Sequence, residues 1–478
     1  MDGKMLYEEC GVFGIYGHKD TATFITLGLH ALQHRGQEAA GIVTFDGEHF
    51  HTHRALGLVG DNFNEQKVVQ KLNGSIGIGH VRYATTGETI IRNVQPLFAE
   101  FKFGGLAVAH NGNLTNARRL RAELIERGCI FQSTMDTETI VHLIARSEYG
   151  KVVDRLIDSL KQVQGAYSLV AMSQKKLIGV RDPTGVRPLV LGRKDGAYIL
   201  TSETCALDII DATFIRDVEP GEIIVIDDKG LCSLKPFVQS KHNFCIFEYI
   251  YFARPDSIID GKSVYEVRKQ IGAELARENN VEADVVVPVP DSGVPSAIGY
   301  AETAKIPFEL GIIRNHYVGR TFIEPTNEIR HLGVKLKHNA NVATLKGKHV
   351  ILVDDSIVRG TTSVKIVEMI RRAGAQSIHM RVASPPITHP CFYGIDTPEQ
   401  GELLAHTHDD NTIAQFIGVD SIAYISQDGL YRAVGAQNCS IKTKKYCDAC
   451  FTGNYPIPLY DKDDGNEAKQ LSLLTETD

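Results

Sequence analysis

The chain is poor in several features that mark specialised classes of protein. Its 478 residues include only 17 prolines and nine cysteines, and no apolar run approaches the ~20 residues that a membrane-spanning helix requires. The low proline content, beside 43 glycines, excludes collagen-like and disordered chains. Cysteine is too sparse for a disulfide scaffold, so we expect a reduced, cytoplasmic protein in which clustered cysteines bind metal or act as nucleophiles.

The charged residues are balanced in number and scattered along the chain. There are 51 Lys and Arg residues and 58 Asp and Glu residues, a formal net charge of −7, and the basic residues are not collected into an arm. The electrostatic footprint of a nucleic-acid-binding protein is therefore missing, and small-molecule chemistry is favoured. Residues 1–9 have neither an apolar stretch nor a basic flank, so we expect neither secretion nor a membrane partner.

Two patterns of secondary structure divide the chain near residue 240. Over 10–240, short alternating strands and glycine-bearing turns are interrupted by a few helices, which predicts an antiparallel-rich α+β unit. Over 241–460, long apolar strands alternate with helices, which is typical of a doubly wound α/β unit with a parallel sheet. Residues 461–478 are polar and acidic without periodicity, and we expect a disordered tail.

The most informative stretch of the second unit joins a strand, a loop and a helix. An apolar strand at 349–353 ends in Asp354 and Asp355, and Gly360 precedes a predicted helix at 361–373. Carboxylates at the carboxyl end of a parallel strand face the ligand crevice, where they can hold sugar hydroxyls or hydrated Mg²⁺. The N–H groups and hydroxyls that open the next helix suit a phosphate monoester. A diol site beside a phosphate site describes a ribose 5-phosphate.

This stretch resembles the signature of the type I phosphoribosyltransferases, which bind phosphoribosyl diphosphate (PRPP). The loop at 289–293 looks like the family's pyrophosphate loop, and the basic stretch at 317–337 resembles the loop that closes over PRPP and excludes water. The resemblance implies PRPP contacts through Ser292, Gly293, Arg320, Lys335, Lys337, Asp354, Asp355, Ser356, Val358, Arg359, Gly360, Thr361 and Thr362. It also implies one Mg²⁺ per subunit, held by Ser292, Asp354 and Asp355.

In the first unit, Cys10 is the candidate nucleophile. If residues 1–9 were removed, its thiol would lie next to a free α-amine able to act as the activating base. A cysteine near a terminus is usually inert, so the hypothesis depends on the segments that accompany it.

Three further segments complete a set of groups for amidase chemistry on an α-amino acid. Arg82, at a predicted strand end, can clamp an α-carboxylate, and Asp136, in the first turn of a helix predicted at 136–145, can pair with an α-ammonium group. Asn111 and Gly112, in a turn predicted to end a strand, can face an oxyanion.

Together these segments resemble the class II glutamine amidotransferases, which are N-terminal nucleophile (Ntn) hydrolases with a four-layer αββα sandwich. The resemblance spans roughly 10–235 and includes the segment 34–41. It implies that residues 1–9 are a cleaved propeptide and that the catalytic residues are Cys10, Asn111 and Gly112. The implied glutamine-binding residues are Arg82, Thr85 and Asp136.

The combination of the two units resembles the glutamine PRPP amidotransferase family, as does the segment 247–257. In that family, ammonia from glutamine passes internally to C1 of PRPP and gives 5-phosphoribosylamine, glutamate and diphosphate, in purine synthesis. The resemblance places Tyr83 near the glutamine end of this route. It also implies a homotetramer and feedback inhibition by AMP, ADP and GMP.

Four cysteines of the second unit are candidate metal ligands. Cys447 and Cys450 form a C-x-x-C pair, and we take Cys245 and Cys391 as their partners, with Cys439 as a substitute. By their chemistry, four thiolates can bind zinc or a 4Fe-4S cluster, and unligated core thiols are a third reading. One branch of the family carries a structural 4Fe-4S cluster at four such cysteines, together with a propeptide, so the resemblance implies the cluster.

Two other functions compete with the amidotransferase. A glutaminase that aminates a different phosphosugar would not need the acid pair Asp354 and Asp355 followed by its Gly-Thr-Thr loop. A non-catalytic regulator that senses PRPP would leave the first unit unexplained and would need a basic DNA-binding segment.

Overall fold

The computed structural model describes residues 10–63, 66–83, 90–238, 240–315, 338–436 and 445–462. The strands that precede residue 235 form two antiparallel sheets, and four strands that follow residue 284 form a parallel sheet. This arrangement confirms the two fold classes predicted from the sequence.

The first unit contains thirteen described strands in two sheets. These strands are β1 (Gly11–Tyr16), β2 (Ala39–Phe45), β3 (Phe50–Leu56), β4 (Ile76–Arg82), β5 (Leu97–Phe101), β6 (Gly104–Leu114), β7 (Gly165–Ser173), β8 (Leu177–Arg181), β9 (Val190–Lys194), β10 (Ala197–Thr201), β11 (Thr213–Asp217), β12 (Ile223–Asp227) and β13 (Gly230–Leu234). The first sheet has the order β11-β9-β10-β1-β4-β2-β3, and the second has the order β13-β12-β8-β7-β6-β5.

Helices cover the outer face of each sheet. They are α1 (Thr21–Ala31), α2 (Val59–Asn62), α3 (Gln66–Lys71), α4 (Ala117–Glu126), α5 (Asp136–Arg146), α6 (Val152–Leu160) and α7 (Cys205–Asp208). Because side chains alternate along a strand, Val12 of β1 lies in the core that contains Val170 of the second sheet, whereas Phe13 lies in the outer core that contains Ile25 of α1. Helices α4 to α6 cover the second sheet in the same way. The result is the αββα sandwich that the resemblance implied.

The second unit follows with shorter strands and more helices. These elements are β14 (Phe244–Cys245), β15 (Ile258–Ile259), β16 (Lys262–Ser263), α8 (Val264–Glu278), β17 (Val285–Pro288), α9 (Val294–Ala304), β18 (Ile312–Arg314), β19 (His338–Ala340), α10 (Val342–Leu345), β20 (His349–Asp354), α11 (Thr361–Arg372), β21 (Ser377–Val382), α12 (Leu404–Thr407), α13 (Asp410–Ile417), β22 (Ser421–Tyr424), α14 (Gln427–Ala433), β23 (Tyr446–Cys447) and α15 (Ala449–Thr452).

The parallel sheet of the second unit has the order β17-β20-β21-β22 and is covered on both faces. Val286 and Ile351 face the core that contains α8 and α9. Val287 and Leu352 face the opposite core, which contains α11 and α13. Burial on both faces explains why these strands are almost continuously apolar.

The predicted turn at Asn111 and Gly112 is wrong. The strand expected at 105–110 continues as β6 to Leu114, because β7 offers pairing partners over its whole length. Asn111 pairs with Ser168 in this register. The two candidate oxyanion donors therefore lie inside a strand, where neighbouring backbone limits their movement.

The tail predicted at 461–478 begins in contact with the first unit. The Asp461 carboxylate accepts hydrogen bonds from the backbone N–H groups of Arg118, at 2.8 Å, and Arg119, at 3.3 Å, in the first turn of α4. Residues 463–478 lie outside the described residues, as do residues 1–9 of the predicted propeptide. Over the described ranges, no helix combines the length and the apolar character that crossing a membrane requires.

Two glycines allow α8 and α9 to pack with their backbones in contact. A Cβ on Gly272 would lie 1.8 Å from the carbonyl oxygen of Ser296, and a Cβ on Gly299 would lie 1.9 Å from the carbonyl oxygen of Lys269. This contact fixes α9, which begins directly after the predicted pyrophosphate loop.

We expect Gly272→Ala to lower the midpoint of thermal unfolding. Alanine normally stabilises a helix by about 1 kcal/mol relative to glycine, but overpacking against rigid backbone costs about 1–3 kcal/mol or more. The control is Gly60→Ala in α2, where no atom lies within 4 Å of the added Cβ, so the midpoint should stay or rise slightly. A Gly272→Ala protein as stable as its parent would show that the helices separate at no cost.

Candidate active site

Cys10 lies immediately before β1, buried between strands of the first sheet. Its Sγ is 3.6 Å from the carbonyl oxygen of Tyr83, which follows β4. Burial raises the pKa of the thiol to about 11, although the positive charges of Arg82 and Arg35 act in the opposite direction. Because a neutral thiol is a weak nucleophile, attack from this position requires a base.

Asn111 is fully buried, yet neither oxygen nor nitrogen of its side-chain amide has a hydrogen-bond partner among the described residues. A buried polar group without a partner costs about 1–3 kcal/mol, so this amide destabilises the fold as it stands. Next to it, Gly112 has φ +141°, and a Cβ there would lie 2.0 Å from the carbonyl oxygen of Ala166. The backbone at this point therefore accepts only glycine.

Arg82 and Asp136 flank Cys10 closely enough for both charges to influence the pKa of its thiol. Oδ2 of Asp136 accepts a hydrogen bond from the Leu114 N–H at 3.0 Å, and Oδ1 lies 3.5 Å from Nδ1 of His110. Burial alone would raise the pKa of Asp136, but His110 and the hydrogen bonds outweigh it and lower the pKa. A guanidinium and an ionised carboxylate therefore stand beside the thiol, which suits a zwitterionic substrate.

Arg35 connects Cys10 to the second unit. The guanidinium is fully buried and donates to the Cys10 carbonyl at 3.3 Å, to Oε1 of Glu203 at 2.5 Å and to Oε1 of Glu248 at 2.6 Å. Burial would raise the pKa of Glu203, but the charges of His34 and Arg35 hold it well below its usual range. Both carboxylates thus accept hydrogen bonds from one buried arginine.

In the second unit, Asp354 ends β20 and Asp355 follows it, and the two residues are 8% and 7% exposed. The hydroxyls of Ser292 and Ser356 both donate to the Asp355 carboxylate, the latter at 2.5 Å. Burial raises the pKa of both acids, and the charge of Asp355 raises that of Asp354 further, whereas Arg268 acts in the opposite direction on Asp355. The pair is the kind of donor set that attracts Mg²⁺, which takes one or two protein carboxylates and completes its shell with substrate oxygens.

The loop after β20 is held in shape by the segment around α12. The carbonyl of Val358 accepts a hydrogen bond from the Leu404 N–H at 2.9 Å. Gly360 has φ +72°, and a Cβ there would lie 2.7 Å from the Leu404 side chain. Arg359 pairs with Glu402 at 2.6 Å. The loop therefore has one defined path into α11.

Two helices begin close to the acid pair. Helix α11 starts with Thr361 and Thr362 and is 12 residues long. The positive end of its dipole lies at the free N–H groups of its first turn. Helix α9 starts after Gly293, where a Cβ would lie 2.6 Å from the carbonyl oxygen of Val353 in β20. The structure thus brings Ser292 and Gly293 against the end of β20, beside the acid pair.

The four candidate ligand cysteines also come together. Cys245 and Cys447 are register partners in the parallel pair β14 and β23. The Cys450 carbonyl accepts hydrogen bonds at 3.0 Å from the backbone N–H groups of residues 388 and 389, close to Cys391 in the chain. Burial raises the pKa of Cys245 to about 11 and raises those of Cys447 and Cys450 well above the usual value. Neighbouring cysteines add to all three shifts.

All eight described cysteines are free thiols. Within the described ranges, no three His, Cys, Asp or Glu side chains converge as closely as one metal ion requires. The thiolates of a cubane cluster lie farther apart than the ligands of a single ion.

Some predicted residues lie outside the described residues, and other residues of the site were not predicted. Outside are Thr85, Arg320, Lys335, Lys337 and Cys439. The unpredicted residues are His110, Glu203, Glu248 and Arg268. His110 directly precedes Asn111, and Glu248 lies in the segment 247–257. A polar residue among apolar neighbours was the signal that could have identified them. Glu203 and Arg268 carry no local signal, because their partners are distant in sequence.

Comparisons with known proteins cover both units. A glutamine amidotransferase domain matches residues 80–208, and a phosphoribosyl transferase domain matches residues 257–384. The chain is 58% identical to the amidophosphoribosyltransferase of Rhizobium etli, over 99% of this chain and 97% of that one. It is 49% identical to that of Bacillus subtilis, over 96% of each chain.

Solved structures agree with these matches. The B. subtilis glutamine PRPP amidotransferase, complexed with ADP and GMP, has a TM-score of 0.89 and 48% identity, and the match covers 94% of this chain and 98% of that one. A structure described as the allosteric regulatory enzyme of purine biosynthesis has a TM-score of 0.90 at 48% identity, over 94% of this chain and 97% of that one. The enzyme class predicted from the two units is therefore confirmed: the chain belongs to the amidophosphoribosyltransferase family, which transfers ammonia from glutamine to PRPP in the first step of purine biosynthesis.

Proposed function

We propose that the residues around Cys10 hydrolyse glutamine and that those around Asp354 and Asp355 bind the PRPP that accepts the ammonia. One observation carries the first assignment. The buried side-chain amide of Asn111 has no hydrogen-bond partner among the described residues. Its neighbour His110 lies 3.5 Å from the carboxylate of Asp136, whose charge influences the pKa of Cys10. The domain boundaries near residues 9, 240 and 460 belong to the same proposal.

The glutaminase step requires removal of residues 1–9, so that the α-amine of Cys10 becomes free. The amine takes the thiol proton, and the sulfur attacks the side-chain amide carbon of glutamine. The Asn111 amide and the Gly112 N–H donate to the resulting oxyanion. The amine then protonates the departing ammonia, and water hydrolyses the glutamyl thioester to glutamate and the free thiol. Arg82 and Asp136 hold the α-carboxylate and the α-ammonium group, and Thr85 belongs to the same glutamine-binding set.

The transfer step takes place at the carboxyl edge of the parallel sheet. Asp354 and Asp355 hold the ribose hydroxyls, and the N–H groups and hydroxyls from Ser356 to Thr362 hold the 5-phosphate. Bound Mg²⁺, held by Ser292, Asp354 and Asp355, would neutralise the charge of the diphosphate group as it leaves. Ammonia forms the new bond to C1, diphosphate takes the electron pair of the broken bond, and loss of one proton from the nitrogen gives 5-phosphoribosylamine. Arg320, Lys335 and Lys337 would close over the site.

The test follows glutamate and diphosphate together, using anaerobically purified protein that lacks residues 1–9, with and without Mg-PRPP. Equal amounts of both products, formed only with PRPP, are expected. Cys10→Ala should abolish glutamate release, while ammonia supplied as a salt still yields diphosphate, because the transferase site does not use the thiol. Glutamate release that ignores PRPP, with no diphosphate, would contradict the assigned acceptor.

Asp354→Asn should abolish diphosphate formation without destabilising the fold. Burial raises the folded-state pKa of Asp354 above its unfolded value, so ionisation at neutral pH costs stability, and removing the charge removes that cost. The midpoint of thermal unfolding without ligand should therefore equal or exceed that of the parent. Asp228→Asn, at an exposed position, is the control and should change neither property.

The same raised pKa values set the pH dependence of binding. Mg-PRPP binds the ionised pair, so its affinity should fall, and proton release on binding should rise, as the pH is lowered towards these pKa values. Titration calorimetry in two buffers measures both quantities. A pH-independent affinity, or a less stable Asp354→Asn protein, would contradict the role given to the pair.

We further propose that Cys245, Cys391, Cys447 and Cys450 hold a 4Fe-4S cluster. Two observations support this proposal. The strand pairing places Cys245 beside Cys447, and the other three cysteines lie close enough to Cys450 to raise the pKa of its thiol. Such a cluster would tie the two ends of the second unit together.

Cys447→Ser should remove iron, acid-labile sulfide and the broad visible absorbance of the anaerobically purified protein. Cys232→Ser, at an exposed thiol in β13, should keep all three. Zinc in place of iron in the parent protein would contradict the proposal.

Regulation, assembly and location complete the proposal. The ADP and GMP bound to the B. subtilis relative support purine nucleotides, including AMP, as inhibitors of this protein. We infer a homotetramer, as the family resemblance implies, and a cytoplasmic location, where the eight described free thiols would stay reduced.

A further inference from the structure

The strand that carries the candidate oxyanion donors touches the second unit directly. A Cβ on Gly394 would lie 2.9 Å from the carbonyl carbon, 3.0 Å from the Cα and 3.2 Å from the carbonyl oxygen of Gly112. The next residue of the strand, Asn113, donates from its Nδ2 to the carbonyl oxygen of Phe392 at 2.9 Å. Two consecutive residues of β6 thus rest on one short segment, 391–395.

Segment 391–395 is itself firmly held. The fully buried Arg187 donates from both Nε and Nη2 to the Tyr393 carbonyl, at 2.8 Å and 2.6 Å. The Tyr393 hydroxyl donates to the Ile457 carbonyl at 2.6 Å, and the Cys391 N–H donates to Oγ1 of Thr397 at 2.7 Å. These bonds anchor the segment to both units, so it can act as a fixed support.

Gly112 has no side chain to hold it, so its position depends on the backbone packed around it. Glycine has no side chain to pack and moves easily between backbone conformations, yet an oxyanion donor works only when it is preorganised. One face of Gly112 is blocked by the Ala166 carbonyl, and Gly394 lies against its Cα and carbonyl. Gly394 has φ +110°, a backbone conformation that residues with a side chain rarely adopt. The absence of a Cβ also lets it approach the Gly112 backbone closely.

We propose that segment 391–395 positions the oxyanion hole, so that glutamine cleavage in the first unit depends on a backbone contact supplied by the second. The inference rests on the proposed roles of Asn111 and Gly112. Gly394 is a positioning residue, since it touches β6 and acts on the substrate only through that strand. Ammonia transfer to PRPP occurs elsewhere and does not use this contact.

The test is Gly394→Ala, whose methyl group must push against the Gly112 backbone. Because a displacement of about 1 Å costs about 10²-fold in rate, we expect kcat for glutamine hydrolysis to fall at least about tenfold. The KM for glutamine and the diphosphate formed from added ammonia should stay at the parental level. Alkylation of Cys10 by iodoacetamide, followed by mass spectrometry, should keep its rate, because alkylation needs no oxyanion hole.

Gly347→Ala is the matched control. Gly347 also has positive φ, +74°, and lies in the second unit, but no atom lies within 4 Å of its added Cβ. This variant also places alanine at a positive φ but lacks the contact, so both activities should match the parent.

A second variant covers the case in which Gly394→Ala does not fold. Asn113→Ala removes only one hydrogen bond, so the fold should survive and kcat should fall in the same selective way. Equal losses of both activities, or an unchanged kcat, in either folded variant would overturn the inference. Asn111→Ala separates this failure from that of the proposed function: a variant that still hydrolyses glutamine would refute the oxyanion hole itself.

Discussion

Arg35 places a positive charge where the two units meet, out of reach of solvent, and both Glu203 and Glu248 are buried against it. Moving such ions out of water costs several kcal/mol each, so they are tolerated only while each has its partner, and removal of one costs about 3–5 kcal/mol. The same guanidinium donates to the carbonyl of Cys10. The position of the candidate nucleophile and the joining of the units therefore both involve one ion network.

The two candidate sites, unlike the network around Arg35, contain buried polar groups that destabilise the fold. The amide of Asn111 is buried without a partner among the described residues, and Asp354 and Asp355 share a buried position that raises the pKa of both. These groups weaken the fold in the absence of ligands, and the cores on both faces of each sheet must offset that cost. At Arg35 each buried charge has an oppositely charged partner, whereas the Asn111 amide has no partner among the described residues and Asp354 and Asp355 place two acids side by side.

Much of the architecture could be predicted because it depends on local patterns. Period-two strands with glycine turns indicated the antiparallel sheets, and continuous apolar strands followed by glycine-capped helices indicated the parallel sheet, as at 349–373. The end of β6 was misjudged, because Asn111 and Gly112 are typical turn residues and only the pairing with β7 keeps them extended. Tertiary pairing therefore overrode local turn propensity at the two candidate oxyanion donors.

The sequence by itself determined which chemical groups are available: a thiol near one terminus, a guanidinium, a carboxylate pair at a strand end and four cysteines. The motif around each group indicated the role that we predicted for it. Only the tertiary structure decided which of these groups face one another. Glu203 meets Arg35 across 168 positions, and segment 391–395 meets Asn113 across 279. Local sequence carries residue type and periodicity, whereas such long-range pairs are selected by the packing of whole sheets, which no single segment encodes.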